Sequence, residues 1–329
     1  MNKVQKAAYE LIQSDATFLY TITDIFKNAH NINSNYICMS LPYIGLFTDG
    51  AEQWCKKVGL NAPIFNETEK TFYSKLRLSN KLFSQTYDEY TQMLINKLQE
   101  SDAHFFAIQS FLEKIIGYYN VGTDLFLGEF CGNTILCSLY LPVDPLGSNE
   151  VGPFIKNMST FAGKLAASFD VQKSPVYKYN DKLIVTYKDY HFYKNSPIKM
   201  NTDLGFVLFS ILCSINYVII FIDQYFKDEI PQKFKFAYLQ YYYLCDFISQ
   251  ISSQSNISLY INNCLYDNNF RNCIAHYGLG QYMAECDIIQ DDILKGLTFK
   301  TFNTDYMSTK STLYNILLDL THQIKELIF

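Results

Sequence analysis

Along the first 120 residues apolar positions return at three- and four-residue steps, the spacing that lines one face of an α-helix. Ala7, Leu11, Ala16, Leu19, Ile22 and Phe26 describe one amphipathic helix, and a second helical region runs from about Glu67 to Tyr119. Its apolar positions include Leu78, Leu82, Met93, Leu94, Leu98, Phe105, Ile108, Leu112 and Ile115. Asn66-Glu67-Thr68-Glu69 offers a capped start, and a break is expected near Ser101-Asp102. The middle of the chain differs. Leu141 to Gly147 reads as a loop by its Pro and Gly density. VYKY at 176–179, a turn at Asn180-Asp181 and the run LIVTYKDYHFY then read as a β-hairpin, closed by Asn195-Ser196-Pro197.

Helical spacing resumes at Asp203. Thr202 or Asp203 can cap a helix over 204–226, and Pro231 fits the first turn of another that reaches about Gln250. SSQSN at 252–256 breaks the pattern, and a last helix covers about Thr312 to Ile328. The predicted architecture is mainly α. It has a helical N-terminal region (1–140), a loop and small β-hairpin insertion (141–200), and a C-terminal helical bundle (201–329) of four or five helices. Leu204 to Ile222 is 19 residues without a charge, long enough to span a bilayer. Its flanks are Asp203 and Asp223 with no basic cluster, and it carries Gly205, Ser210, Ser214 and Asn216. A buried bundle helix is the preferred reading and a membrane span the alternative.

Composition narrows the function classes. Apolar residues make up 49%, enough for a sizeable core. A net charge of −5 argues against a protein that coats nucleic acid through a broad basic surface, so any RNA contact must be local and no DNA partner is expected. Nine Cys form no CxxC and no zinc-finger spacing, and the first residues lack the apolar run of a signal peptide; reduced thiols and a cytoplasmic location are expected. Asp287, Asp291 and Asp292 lack the Gly and terminal Glu of a calcium loop and read as a solvated turn. No Gly-rich phosphate loop, GxSxG elbow or HExxH occurs, and neither cofactor nor metal is expected. Basic residues are 25 Lys against only Arg77 and Arg271. Lys cannot replace the planar guanidinium where two phosphate oxygens must be held at once. Arg77 lies inside the second helical region, where a solvated or salt-bridged side chain is expected.

The segment with specific chemical content is Asn268-Asn269-Phe270-Arg271-Asn272-Cys273-Ile274-Ala275-His276-Tyr277. Asn268 or Asn269 can cap a helix beginning near Arg271, and Asn272 and His276, four apart, share a face. Arg271 is then expected at the helix start, where the dipole favours anions. A His can relay a proton near neutral pH, an Arg can stabilise charge on phosphate oxygens, and an Asn can orient either. Those groups serve RNA cleavage by the adjacent 2′-hydroxyl, which gives a 2′,3′-cyclic phosphate and a 5′-hydroxyl.

These residues resemble the R-x4–6-H signature of HEPN domains, in the form where Asn follows Arg. The resemblance covers the motif and its helical surround, about residues 200–329. It implies a helical bundle that dimerises with both motifs in one cleft, and an endoribonuclease of phage defence or a toxin–antitoxin pair, with Arg271, Asn272 and His276 as the catalytic set. A homodimer and an antitoxin or defence partner protein follow from it, and a non-catalytic HEPN-like RNA- or partner-binding module is the other reading. Some HEPN toxins carry a modifiable Tyr two residues after the His; here Gly278 fills that slot and Tyr277 precedes it. Tyr277, Lys188 and His191 are candidate RNA contacts, the last two within a Lys- and Tyr-rich stretch that also reads as a charged hairpin face.

Overall fold

A computed structural model describes the chain except residues 29–33, 80, 117–120, 142–150, 172–175, 181, 184 and 279–281. It is mainly helical with one small sheet. Helices α1 (Lys3–Asn28), α2 (Ser34–Val58), α3 (Glu67–Ser79), α4 (Tyr87–Ile108) and α5 (Phe111–Ile116) lead to strands β1 (Val121–Phe126) and β2 (Glu129–Asn133). Then come α6 (Thr134–Tyr140), α7 (Val151–Ser168), β3 (Val185–Tyr190) and α8 (Phe192–Asn195). Helix α9 (Asp203–Asn216) continues through a π-helical turn, Tyr217–Ile222, into α10 (Asp223–Tyr225). The chain ends with α11 (Pro231–Gln254), α12 (Asn268–His276), α13 (Ile293–Phe302) and α14 (Tyr306–Ile328). Buried apolar residues from Ala7 to Ile328 form one continuous cluster, so the N-terminal helices and the C-terminal bundle share a core.

Local chemistry explains most helix starts. Asn66 and Glu69 exchange side-chain-to-backbone bonds of 2.9 and 2.7 Å at the start of α3, and Thr86 with Glu89 builds a capping box on α4. The break expected near Ser101-Asp102 is absent; α4 runs unbroken through it, and the interruptions lie before the Thr86 cap and at Gln109-Ser110 instead. Thr202 caps α9 by accepting from the Gly205 amide, and Pro231 occupies the first turn of α11. The last helix starts earlier than its periodicity indicates, because Asp305 caps it. Asp292 likewise caps α13, a helix the sequence reading left without an element, directly after the turn expected at Asp291 and Asp292.

The β-region is the main correction. β3 is a strand, but its partner is β1, antiparallel, in a sheet of order β2-β1-β3. Tyr179 instead bridges to Phe226, so 176–193 is not a hairpin. The hairpin is β1–β2, turned by Leu127 and Gly128, both at positive φ. Its strands are largely buried, so they lack the polar alternation that would have announced them. The region read as loop and hairpin also contains the 18-residue α7. The loop expected at 142–147 and the Asp181 half of the expected turn lie outside the described residues.

The apolar stretch at 204–222 is the central helix of the core. In the helix over 203–225, 94% of the most apolar window is buried against the rest of the chain. Its polar side chains find partners: Ser210 accepts from Asn133 Nδ2 at 3.5 Å, and Asn216 Nδ2 donates to the Phe130 carbonyl at 3.0 Å. A lipid-facing helix would leave its apolar surface outward; this one turns it into protein.

Candidate active site

α12 is short and held at both ends. Its cap is Asp267, whose carboxylate accepts from the Phe270 amide at 2.7 Å, so the helix begins earlier than either Asn268 or Asn269 would set as caps. Tyr238 of α11 donates to the carbonyls of Leu265 and Asp267, and Tyr242 donates to the Asn268 side chain. Phe270, Cys273, Ile274 and Ala275 are buried; Phe270 lies 4.4 Å from the Tyr238 ring and 4.7 Å from that of Phe302, centroid to centroid. Burying that face leaves Asn272 and His276 on the other, with Arg271 at its edge between Ile274 and Ala275.

The earlier start moves Arg271 out of the first turn. Its amide is already bonded to the Asp267 carbonyl at 3.1 Å, and His276 is the last helical residue. The expected placement of Arg271 at the positive helix end is therefore wrong, and anion stabilisation must come from side chains. Arg271 Nη1 donates to Asn272 Oδ1 at 2.8 Å, and its guanidinium lies 5.1 and 5.6 Å from the Tyr242 and Tyr243 ring centres. Cation–π contact with two rings helps hold the fork in place.

The C-terminal end is tied into the core. Tyr277 takes a left-handed conformation, φ 54°, followed by Gly278 at φ 69°. The Tyr277 ring is 1% exposed, and its hydroxyl donates to Asp15 Oδ2 at 2.6 Å. Asp15 is also paired with the fully buried Lys235 at 2.5 Å and bonded by Gln232 at 2.7 Å. Burial, then Asp15, pushes the Tyr277 phenol far above its ordinary value. Tyr277 is thus a structural pin, not an RNA contact, because no face of it reaches solvent.

Glycines of α2 bring the N-terminal helices onto this motif. A Cβ at Gly50 would sit 2.6 Å from the Ala275 carbonyl oxygen, and one at Gly45 would sit 2.4 Å from the Arg77 amide nitrogen. α2 is therefore in backbone contact with α3 on one side and α12 on the other. Asp49, next to Gly50, pairs with Arg77 at 3.3 Å. The chain's two arginines, far apart in sequence, converge here. Burial first, then Arg77, Arg271 and Lys81, push the half-buried His276 imidazole below its ordinary value, while Asp49 acts in the opposite direction. Both guanidiniums also act on Tyr243, whose phenol burial raises and whose pKa they lower. Within a chain of net charge −5, this is a local concentration of positive charge.

Two enclosed polar atoms at this centre, His276 Nδ1 and Arg271 Nε, have no hydrogen-bond partner among the described residues. Arg271 Nε is a donor left without a partner, whereas His276 Nδ1 can donate or accept according to its tautomer. The structure thus brings together Arg271, Asn272 and His276 and adds Arg77, Lys81 and Asp49, which the sequence reading did not place there. The signal that could have found Arg77 was its rarity. Lys188 and His191 do not join. Lys188 is exposed on β3, which packs on β1, whereas α12 packs on α2, α11 and α13. His191 is buried beside Asp102 and Lys194, and burial lowers its pKa. No family model, curated protein or solved structure matches the chain.

Proposed function

We propose that the chain is a metal-independent endoribonuclease of HEPN type, acting on RNA at the cluster of Arg77, Arg271, Asn272 and His276. The observation that carries this reading is that α2, in close contact with α12 at Gly50 and Ala275, brings the Asp49–Arg77 pair to the helix that holds Arg271, Asn272 and the half-buried His276. A depressed pKa keeps His276 neutral at pH 7, ready to take the 2′-hydroxyl proton. The 2′-oxygen then bonds to phosphorus and the P–O5′ bond breaks. The leaving oxygen takes a proton from His276 or solvent, so a cyclic phosphate and a 5′-hydroxyl result with no net consumption of water. Arg271 and Arg77 neutralise the non-bridging oxygens, and Asn272 holds the Arg271 fork. An arriving phosphate also offsets the cationic field on His276, raising its pKa towards the value a proton donor needs. Roles in phage defence or a toxin–antitoxin pair belong to the same reading.

The half-burial of His276, with Nδ1 enclosed, favours a second reading: a module that binds RNA or a protein partner without cutting. Incubating purified protein with RNA in EDTA separates them. Cleavage with cyclic-phosphate ends, reduced about 10²–10⁴-fold in His276→Ala and also lost in Arg271→Ala and Arg77→Ala, supports the enzyme. Intact RNA with binding retained, and binding weakened in the Arg variants, supports the module.

A further inference from the structure

α4 ends in an apolar arm that the core does not use. Ile108 is 65% exposed, Phe111 77%, Leu112 69% and Ile115 65%, and Phe106 is 51% exposed beneath Lys114, whose Nζ lies 4.5 Å from the ring centre. Every residue from Phe111 to Ile115 is exposed, yet the segment is ordered by its own capping: Ser110 N donates to Glu113 Oε2 at 2.7 Å. The five side chains present about 600 Å² of apolar surface, the upper end of what a lone soluble protein shows.

We infer that this arm is a self-association surface, on which a second copy of the chain docks α5 against α5 about a two-fold axis. Two such patches bury about 1,200 Å², the lower end of stable interfaces. Glu113 and Lys114 are occupied within their own chain, on the Ser110 amide and the Phe106 ring, so Phe111, Leu112 and Ile115 form an apolar contact face without a charge of its own. A lipid surface fits less well. The segment carries Asp102 and Glu113 against Lys114 alone, whereas binding to an anionic bilayer draws on a basic cluster. The arm leaves from the end of α4 where Asp102 acts on His191 and Tyr193, on the sheet side of the molecule. This dimer therefore does not need the two motifs to meet in one cleft.

The test is the mass of the full-length protein by sedimentation equilibrium from about 1 to about 100 μM, with no RNA present. The wild type should approach twice 38.2 kDa as concentration rises. Phe111→Asp combined with Leu112→Asp should remain at the monomer mass with an unchanged melting curve, since neither side chain packs in the core. Ile115→Asp alone should weaken association at least tenfold. Amides of 108–116 should also gain hydrogen-exchange protection with concentration in the wild type only. A wild type that stays monomeric throughout overturns the inference, as does a dimer indifferent to these substitutions. So does vesicle binding by a monomeric wild type that the substitutions abolish. RNA cleavage is scored separately, so losing the dimer and losing the nuclease reading remain distinct results.

Discussion

Gly50→Ala tests the contact on which the active-site geometry depends. An alanine in the middle of an exposed helix normally stabilises it, relative to glycine, by up to about 1 kcal/mol. At Gly50 the new Cβ would lie 2.6 Å from the Ala275 carbonyl oxygen and 3.0 Å from Tyr277 Cε2. A comfortable C···O contact is about 3.3 Å, so α12 must retreat by about 0.7 Å. The oxygen is backbone, and Tyr277 is pinned by Asp15, so neither neighbour can rotate away. Overpacking of this sort costs about 1–3 kcal/mol, which outweighs the propensity gain. Gly163 of α7 supplies the control, because a Cβ there meets nothing within 4 Å. Urea unfolding should therefore show Gly163→Ala stabilised by a few tenths to about 1 kcal/mol and Gly50→Ala destabilised by about 0–2 kcal/mol. If cleavage is observed, Gly50→Ala should also slow it about tenfold or more, because His276 moves with Ala275 away from Asp49 and Arg77. A Gly50→Ala protein stabilised as much as the control would refute the tight approach of α2 to α12.

The remaining predictions concern the same centre. Because the folded pKa of His276 lies below its ordinary value near 6.5, the unfolded chain binds more protons there; stability from this site is complete above about pH 6.5 and falls as pH drops through the window between the two values. His276→Gln should flatten that part of the pH–stability curve, and Arg77→Ala should raise the His276 pKa followed by NMR. Tyr277→Phe removes a buried bond to a carboxylate and should cost about 1.5–3 kcal/mol in urea unfolding, with Asp15 still paired to Lys235. Arg271→Lys keeps the charge but loses the planar fork held over Tyr242 and Tyr243; RNA binding or cleavage should fall nearly as far as in Arg271→Ala, and full rescue by Lys would show that charge alone suffices.

The helical motif was visible in the sequence because its logic is local. Asn272 and His276, four apart, fall on the side away from the buried Phe270, Cys273 and Ile274, and that spacing needs no partner to be read; Arg271 joins them only through the reach of its side chain to Asn272. The cap was placed slightly late, since Asp267 outcompeted two adjacent asparagines, and that small shift moved Arg271 off the helix end. The sheet was misread for a different reason. β3 carries a clear strand composition, but composition does not name a partner, and β1 and β2 are too buried to alternate.

From the chain alone came a mainly helical protein, a central apolar helix whose polar residues bundle neighbours could satisfy, and a helix bearing Arg271 beside an Asn-His face. Each rests on interactions between residues a few positions apart, where period and capping suffice. Tertiary structure alone decided that Arg77, paired with Asp49, acts on His276 through space, and that Tyr277 is a core pin. Those outcomes depend on α2 closing against α3 and α12 through Gly45 and Gly50, a long-range packing that leaves no period in the sequence. Burial then sets the charge state of His276, because desolvation and neighbouring cations act through space, whatever their separation along the chain.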